Sequence, residues 1–209
     1  MTTPPYRIET ERLVIRCYDP ARDAPLVKEA VDSSIDHLLP WMPWAQREPQ
    51  TLEEKVELLR GFRGRFDLDQ DYAYGVFERD ESRQFGGAGL HARGGPGSLE
   101  IGYFIRADSI GQGLATEVTA VLTRAAFEVA GVERVDIQIE PKNERSLKIP
   151  RKLGFVEEGV LRRRLDPSKE GEPRRDSTLF TLLREELAAS PCMAYDYAAF
   201  DVAGTALGS

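Results

Sequence analysis

Apolar and polar positions alternate from Glu11 to Tyr18, with Leu13, Ile15 and Cys17 set against Arg12, Val14 and Arg16. A period of two predicts a first strand there. Asp19-Pro20 and Asp23-Ala24-Pro25 punctuate it, and a short helix is expected from about Pro25 to Ser33. The next segment, His37 to Trp44, carries too much proline for regular structure. Thr51-Leu52-Glu53-Glu54 then reads as a capping box, a threonine cap with glutamate three positions later. It opens an amphipathic helix whose apolar face is Val56, Leu59, Phe62 and Phe66.

From Tyr72 the period returns to that of strands. Tyr72–Glu78 and Gln84–His91, joined by the polar Arg79-Asp80-Glu81-Ser82, predict a hairpin. A glycine-rich turn at Gly94-Gly95-Pro96-Gly97 leads into a strand at Leu99–Ile105. Leu114, Val118, Leu122, Ala125, Ala126 and Val129 recur at helical spacing. Arg134–Ile139 is the next strand, and Asn143–Leu153 a short helix that Pro150 must distort or end. Phe155–Arg164 and Ser177–Leu183 complete an antiparallel pair around the polar loop at Pro167-Ser168-Lys169-Glu170-Gly171. Beyond Ala188, Tyr195, Tyr197, Phe200 and Val202 fall at near-alternate positions, which suits either an extra strand or a contact with a second subunit in a homodimer. This order predicts an α+β (mixed α/β) domain with a mostly antiparallel sheet and one parallel neighbour pair.

Between the strand at Leu99 and the helix at Leu114 lies Ile110-Gly111-Gln112-Gly113-Leu114-Ala115-Thr116-Glu117. A strand that passes through two glycines into a helix leaves the first helical N–H groups free, and the helix dipole points at whatever sits there. Phosphate is the natural occupant, although glycine also serves simple tight turns. The stretch lacks the third small residue and downstream acid of the dinucleotide fingerprint, and Gly-Lys-Ser/Thr of the P-loop does not occur.

Composition narrows the function further. The 209 residues suit one domain, and 28 Lys+Arg against 35 Asp+Glu give a net charge of −7. That balance argues against nucleic acid as a main partner. It tolerates a cationic substrate as well as a plain solubility role. Cys17 and Cys192 are too few and too distant for a disulfide framework, and His37 and His91 are too far apart to suggest a metal site. No signal peptide or membrane-length apolar run is readable, so a soluble cytoplasmic protein is expected.

Four segments together resemble the GNAT acetyltransferase superfamily, in particular its RimJ/RimL-like branch of ribosomal-protein N-acetyltransferases. They are Thr10-Glu11-Arg12-Leu13-Val14-Ile15-Arg16, Glu100-Ile101-Gly102-Tyr103, Gly111 to Glu117, and Asn143-Glu144-Arg145-Ser146 with Lys152-Leu153-Gly154-Phe155. The resemblance covers residues 8–187 and leaves 188–209 as a tail. It implies a GNAT fold and an acetyl-CoA site, in which a splayed parallel pair, here Leu99–Ile105 and Arg134–Ile139, admits the pantetheine arm against Tyr103, Phe104 and Ile105. The pyrophosphate would meet backbone N–H groups of Gly111, Gln112, Gly113, Leu114, Ala115 and Thr116. The family's glycine motif usually opens on arginine or glutamine, and Ile110 stands there instead. A phosphate contact from that side chain is lost, and coenzyme binding is expected to weaken rather than vanish.

The implied reaction moves an acetyl group from acetyl-CoA to a primary amine, with a protein N-terminal α-amine first among acceptors. The alternatives are a small cationic amine or antibiotic, another donor such as succinyl-CoA, and a non-catalytic coenzyme A-binding module. Acyl transfer needs a deprotonated amine, a stabilised carbonyl oxygen and a proton for the departing thiolate. Glu100 is the expected general base, directly or through water; otherwise it is an outward strand glutamate paired with an arginine. Ser146 is the expected proton donor or sulfur-positioning group; otherwise it is an exposed first-turn serine. Asn143 is expected to cap its helix, to hold the pantetheine amides, or both. The Trp41-Met42-Pro43-Trp44 cluster either lines an acceptor pocket, with Trp41 and Trp44 as the expected contacts, or anchors its loop on the core. His91 reads as a locally satisfied strand histidine more readily than as a base. Arg162-Arg163-Arg164 reads as a solvated face, with the coenzyme's 3′-phosphate or an acidic substrate as the other option.

Overall fold

The structure, a computed structural model, describes residues 2–208. Leu13–Cys17 is the predicted first strand, but a three-residue strand, Arg7–Glu9, precedes it and pairs with it antiparallel. We number these β2 and β1. Helix α1 runs Pro20–Asp32, five residues earlier than the sequence suggested. Asp19-Pro20 opens the helix instead of punctuating the chain: Asp19 caps it by accepting from the N–H groups of Ala21 and Arg22, and Pro20 occupies the first helical position, where proline loses no bond. Asp23, fully buried, accepts two 2.7 Å bonds from Arg16 of β2, which locks α1 to the sheet.

The proline-rich segment is more regular than expected. It holds a one-turn helix α2 (Ile35–Leu38) and a 3₁₀ turn at Pro43–Arg47, with Pro43 at its start. Helix α3 (Leu52–Asp67) opens on the predicted capping box: Thr51 accepts from the Glu54 N–H, and the Glu54 carboxylate accepts from the Thr51 N–H at 2.7 Å. The hairpin is β3 (Tyr72–Glu78) and β4 (Gln84–His91), as read from the sequence. There follow β5 (Ser98–Ile105), α4 (Leu114–Glu128), β6 (Arg134–Ile139) and α5 (Glu144–Lys152). Pro150 lies inside α5 without ending it at that point. Strands β7 (Val156–Leu165) and β8 (Arg175–Leu183) complete the antiparallel pair, two residues longer on the β8 side than expected.

The tail joins the sheet. Strand β9 (Ala198–Phe200) pairs with β1, and β10 (Ala206–Leu207) pairs with β9. Among the described residues the sheet has ten strands in the order β10-β9-β1-β2-β3-β4-β5-β6-β8-β7, and of these neighbours only β5–β6 is parallel, joined by the α4 crossover. Residues 191–197 lie over α4, where Arg124 donates to the Tyr195 carbonyl and Tyr197 donates to Glu128. This cover explains why every α4 residue from Thr116 to Phe127 is buried.

Two apolar clusters fill the two faces of the sheet. Leu99, Ile101 and Ile105 of β5 pack with α4 on one face. Val14, Tyr18, Phe77, α1 and Leu59 of α3 form the other, and Phe104 packs against it. Because alternate strand residues face opposite ways, Glu100, Gly102 and Phe104 look toward the α1 side and Tyr103 toward the α4 side. No helix among the described residues is long and apolar enough to cross a membrane.

Candidate active site

The glycine turn has the conformation its composition suggests. Gly111 and Gly113 both sit at φ +79°, in the left-handed region where a side chain is strained, while Ile110 between β5 and the turn is extended. Gly113 is the residue that caps α4, without any side-chain hydrogen bond. A Cβ added at Gly111 would meet nothing within 4 Å, and one at Gly113 only the Arg12 guanidinium at 3.9 Å. Space therefore surrounds the turn, and its glycines serve the backbone path. Among the described residues, no backbone carbonyl accepts from the N–H groups of Gly111 through Thr116. Free N–H groups, alternating left-handed glycines and the positive end of a 15-residue helix make a cradle for an anion.

Beside this cradle the parallel strands part. Their ladder runs from Ser98–Arg134 to Ile101–Ile137 and stops there, although β5 continues to Ile105 and β6 to Ile139. Gly102 to Ile105 thus present backbone polar groups with no β6 partner. A cavity of about 490 Å³ fills this region. Tyr103, Phe104 and Ile105 line it from β5, Gly111 and Gly113–Thr116 from the cradle, and Asn143, Ser146 and Ile149 from α5 and its cap. Asn143 accepts from the Ser146 N–H at 3.2 Å, so it caps α5 and faces the cavity at once. The Tyr103 hydroxyl donates to the Ser146 carbonyl at 3.4 Å, and burial pushes its pKa upward, so it keeps its proton at neutral pH. An extended ligand with an amide-bearing arm and a diphosphate fits these donors: the parted strands for the amides, the cradle for the charge.

A model of the acetyltransferase (GNAT) domain matches residues 12–156. The chain belongs to the GNAT acetyltransferases. The probable N-acetyltransferase YjcK of Bacillus subtilis is 28% identical over 115 residues, 54% of this chain and 64% of that protein. The match thus spans just under two thirds of YjcK's length. The ribosomal protein uS5 alanine N-acetyltransferase of Escherichia coli is 26% identical over 164 residues, 76% of this chain and 82% of that enzyme. Mycobacterium smegmatis RimJ, solved in complex with CoA-disulfide, superposes with a TM-score of 0.76 at 24% identity, covering 92% of each chain. That likeness establishes the fold.

Within this GNAT fold, the two tryptophans have different surroundings. Trp41 lines the cavity. Trp44, 38% exposed, packs its ring 5.3 Å from that of Phe104 and does not line the cavity. Replacing Trp41 with alanine is expected to raise the acceptor KM several-fold with little change in melting temperature. The same change at Trp44 is expected to lower the melting temperature by a few degrees, a loss of about 1 kcal/mol for a partly exposed aromatic contact. Steady-state kinetics read beside a thermal melt separates the two.

Glu100 lies outside the cavity lining, with its side chain 12% exposed. One carboxylate oxygen accepts from Gln138 of β6 at 2.8 Å, and the other is 3.6 Å from the Arg93 guanidinium. It stands one residue before the point where the strands part. Gln112 is the one cradle residue whose side chain and backbone do not line the cavity. His91 is satisfied locally, its Nδ1 2.6 Å from Asp71. Arg162, Arg163 and Arg164 are exposed and away from the cavity.

Met42, next to Trp41 in the tryptophan cluster, lines the cavity as well. His37 and Leu38 of α2, Lys142 and Arg145 also face it, and no sequence pattern assigned them a role there. Burial and the nearby Arg145 charge both lower the His37 pKa, so its imidazole is neutral at pH 7. The α2 segment is held over the site by Arg175 of β8. That guanidinium donates to the carbonyls of Pro40 and Trp41 and pairs with Glu140 at the end of β6. Such a strap joins positions about 135 residues apart, which no local pattern encodes.

Proposed function

We propose that this chain is an N-acetyltransferase that transfers an acetyl group from acetyl-CoA to a primary amine, with a protein N-terminal α-amine as the acceptor class. The observation that carries the reading is continuity: one cavity connects the glycine cradle, the parted β5–β6 strands, Ser146 and the Trp41 side of the sheet. A donor lying along it reaches from the helix α4 terminus to the acceptor face. The uS5 alanine N-acetyltransferase relative, 26% identical over most of both chains, supports the choice of a protein N-terminus. Acetyl-CoA, when bound, supplies an activated acyl thioester.

The chain's own groups are assigned as follows. Backbone N–H groups of Gly111 to Thr116 hold the pyrophosphate, and the unpaired edge of Gly102–Ile105 with Asn143 holds the pantetheine arm. Ser146, in the first turn of α5, places its hydroxyl for the sulfur. Glu100 serves as the base through a water molecule, reached from the α1 face where the strands separate. An α-amine has an ordinary pKa near 7.7–8.0, so a modest base suffices, whereas a lysine amine near 10.4 demands more. The reading places the enzyme in the cytoplasm, where both acetyl-CoA and nascent ribosomal proteins occur.

A thiol-release assay with acetyl-CoA and a panel of peptides, polyamines and aminoglycosides tests this. Release with peptides bearing a free N-terminus, and none with N-blocked peptides containing lysine, is the expected result. Release only with polyamines or aminoglycosides moves the acceptor to the small cations. Coenzyme A binding without release for any amine makes the chain a binding module instead.

A further inference from the structure

The segment Thr10-Glu11-Arg12 lies far from the cavity in sequence, yet its side chains reach the back of the glycine cradle. Arg12 donates to the Glu117 carboxylate through Nε at 2.8 Å and Nη2 at 2.5 Å, and through Nη1 to the Gln112 carbonyl at 3.2 Å. Glu117, in the first turn of α4, is buried, and its second oxygen accepts from the Thr10 hydroxyl at 2.6 Å. The same hydroxyl oxygen accepts from the N–H groups of Arg12 and Leu13, so β2's entry and α4's first turn share one network.

We infer that Arg12, held by Glu117 and Thr10, is a positioning residue that sets the donor site's affinity by fixing the Gln112–Gly113 peptide. This inference rests on the proposed coenzyme A site. The peptide is trans, so its C=O and N–H point in opposite directions. With the Gln112 carbonyl turned to Arg12, the Gly113 N–H is turned away from Arg12 and toward the open side of the turn. Residues flanked by left-handed glycines have little steric resistance to a peptide flip. A flip here would present a carbonyl, instead of a donor, to the diphosphate. Arg12 also neutralises a carboxylate in the first turn of the helix whose N-terminus receives the anion. Both effects offset the absence of a basic or amide side chain at Ile110. A lysine cannot reproduce the arrangement, because one ammonium cannot span Glu117 and the Gln112 carbonyl as the guanidinium fork does.

The test compares wild type, Arg12→Met and Arg12→Lys with two donors that differ at the phosphates. Calorimetry with coenzyme A is expected to show affinity at least tenfold weaker in both variants. The kcat/KM for acetyl-pantetheine, which lacks the diphosphate, is expected to stay within twofold of wild type. Circular dichroism and a thermal melt confirm that the variants are folded. Unchanged coenzyme A affinity in Arg12→Met overturns the inference, as does an equal loss toward both donors. Full recovery in Arg12→Lys also overturns it, because charge alone would then account for the effect. Wild-type protein with no affinity for coenzyme A would instead overturn the proposed function, leaving the two failures distinct.

Discussion

Gly113→Val is expected to bind coenzyme A at least tenfold more weakly than wild type, a loss of about 1.4 kcal/mol, while remaining folded. The reason lies in the backbone. Gly113 holds φ +79° as it hands the chain to α4, and a β-branched residue in that region is strained by about 1–2 kcal/mol. The protein can relieve that strain by turning the residue to negative φ, which redirects the adjoining N–H groups out of the cradle. A clash within the free protein is not the cause, since a Cβ there meets only Arg12 at 3.9 Å. Gly113→Asn discriminates between strain and obstruction, because asparagine enters the left-handed region more easily yet still adds a side chain on the open side. A milder loss with asparagine than with valine is the expected pattern. Calorimetry showing wild-type affinity in a folded Gly113→Val variant would remove the cradle as the pyrophosphate site.

Elements with strong local period were legible. The Thr51 capping box, the β3–β4 hairpin and β6 are each specified by side chains within a few residues of one another, and their bounds agree with the sequence reading. Strand β1 was missed because three residues carry no period. It exists by virtue of pairing with β2 on one side and β9 on the other. The start of α1 was misplaced because Asp-Pro serves both turns and helix starts, and what decides is the buried Arg16–Asp23 pairing, a tertiary contact. The tail left two options open. Its pairing with β1 and its cover over α4 answer only to the assembled sheet.

Much the same division runs through the site. The cradle and the α5 cap are local, and Gly111, Gly113 and Asn143 have the conformations or bonds their motifs suggest. The cavity wall opposite the cradle is assembled from α2, the turn after it and α5, more than 100 residues apart. His37 and Arg145 therefore share no local pattern, and the tryptophan cluster could not be divided into a cavity-lining Trp41 and Met42 and a Phe104-packed Trp44. Glu100 stood out by its strand position, whereas its partners Gln138 and Arg93 come from elements that no spacing connects to it.

Glu100→Gln is expected to lower kcat by about 10²-fold or more at pH 6–7, the lower range for loss of a general base, and by far less at pH 9. Its carboxylate sits on the α1 face of β5, with one oxygen fixed by Gln138 and a weaker, 3.6 Å approach from Arg93 on the other. With Glu100 as the base, that second oxygen, less tightly held, would accept the proton through water. An amine must be uncharged to attack, and an α-amine near pKa 7.7–8.0 is mostly protonated at pH 6–7. There a base matters most; at pH 9 the amine is already free, so the variant's rate should rise toward that of wild type. Glutamine keeps the size and one acceptor of the side chain, so coenzyme A affinity and melting temperature should hold. Ser146→Ala should behave differently, losing about tenfold in kcat with no recovery at high pH, since departure of the thiolate does not depend on the amine's protonation. A pH–rate profile from 6 to 9 for both variants decides the matter. Wild-type rates for Glu100→Gln across that range would assign the proton to water or to another group, His37 being the neutral imidazole already facing the cavity.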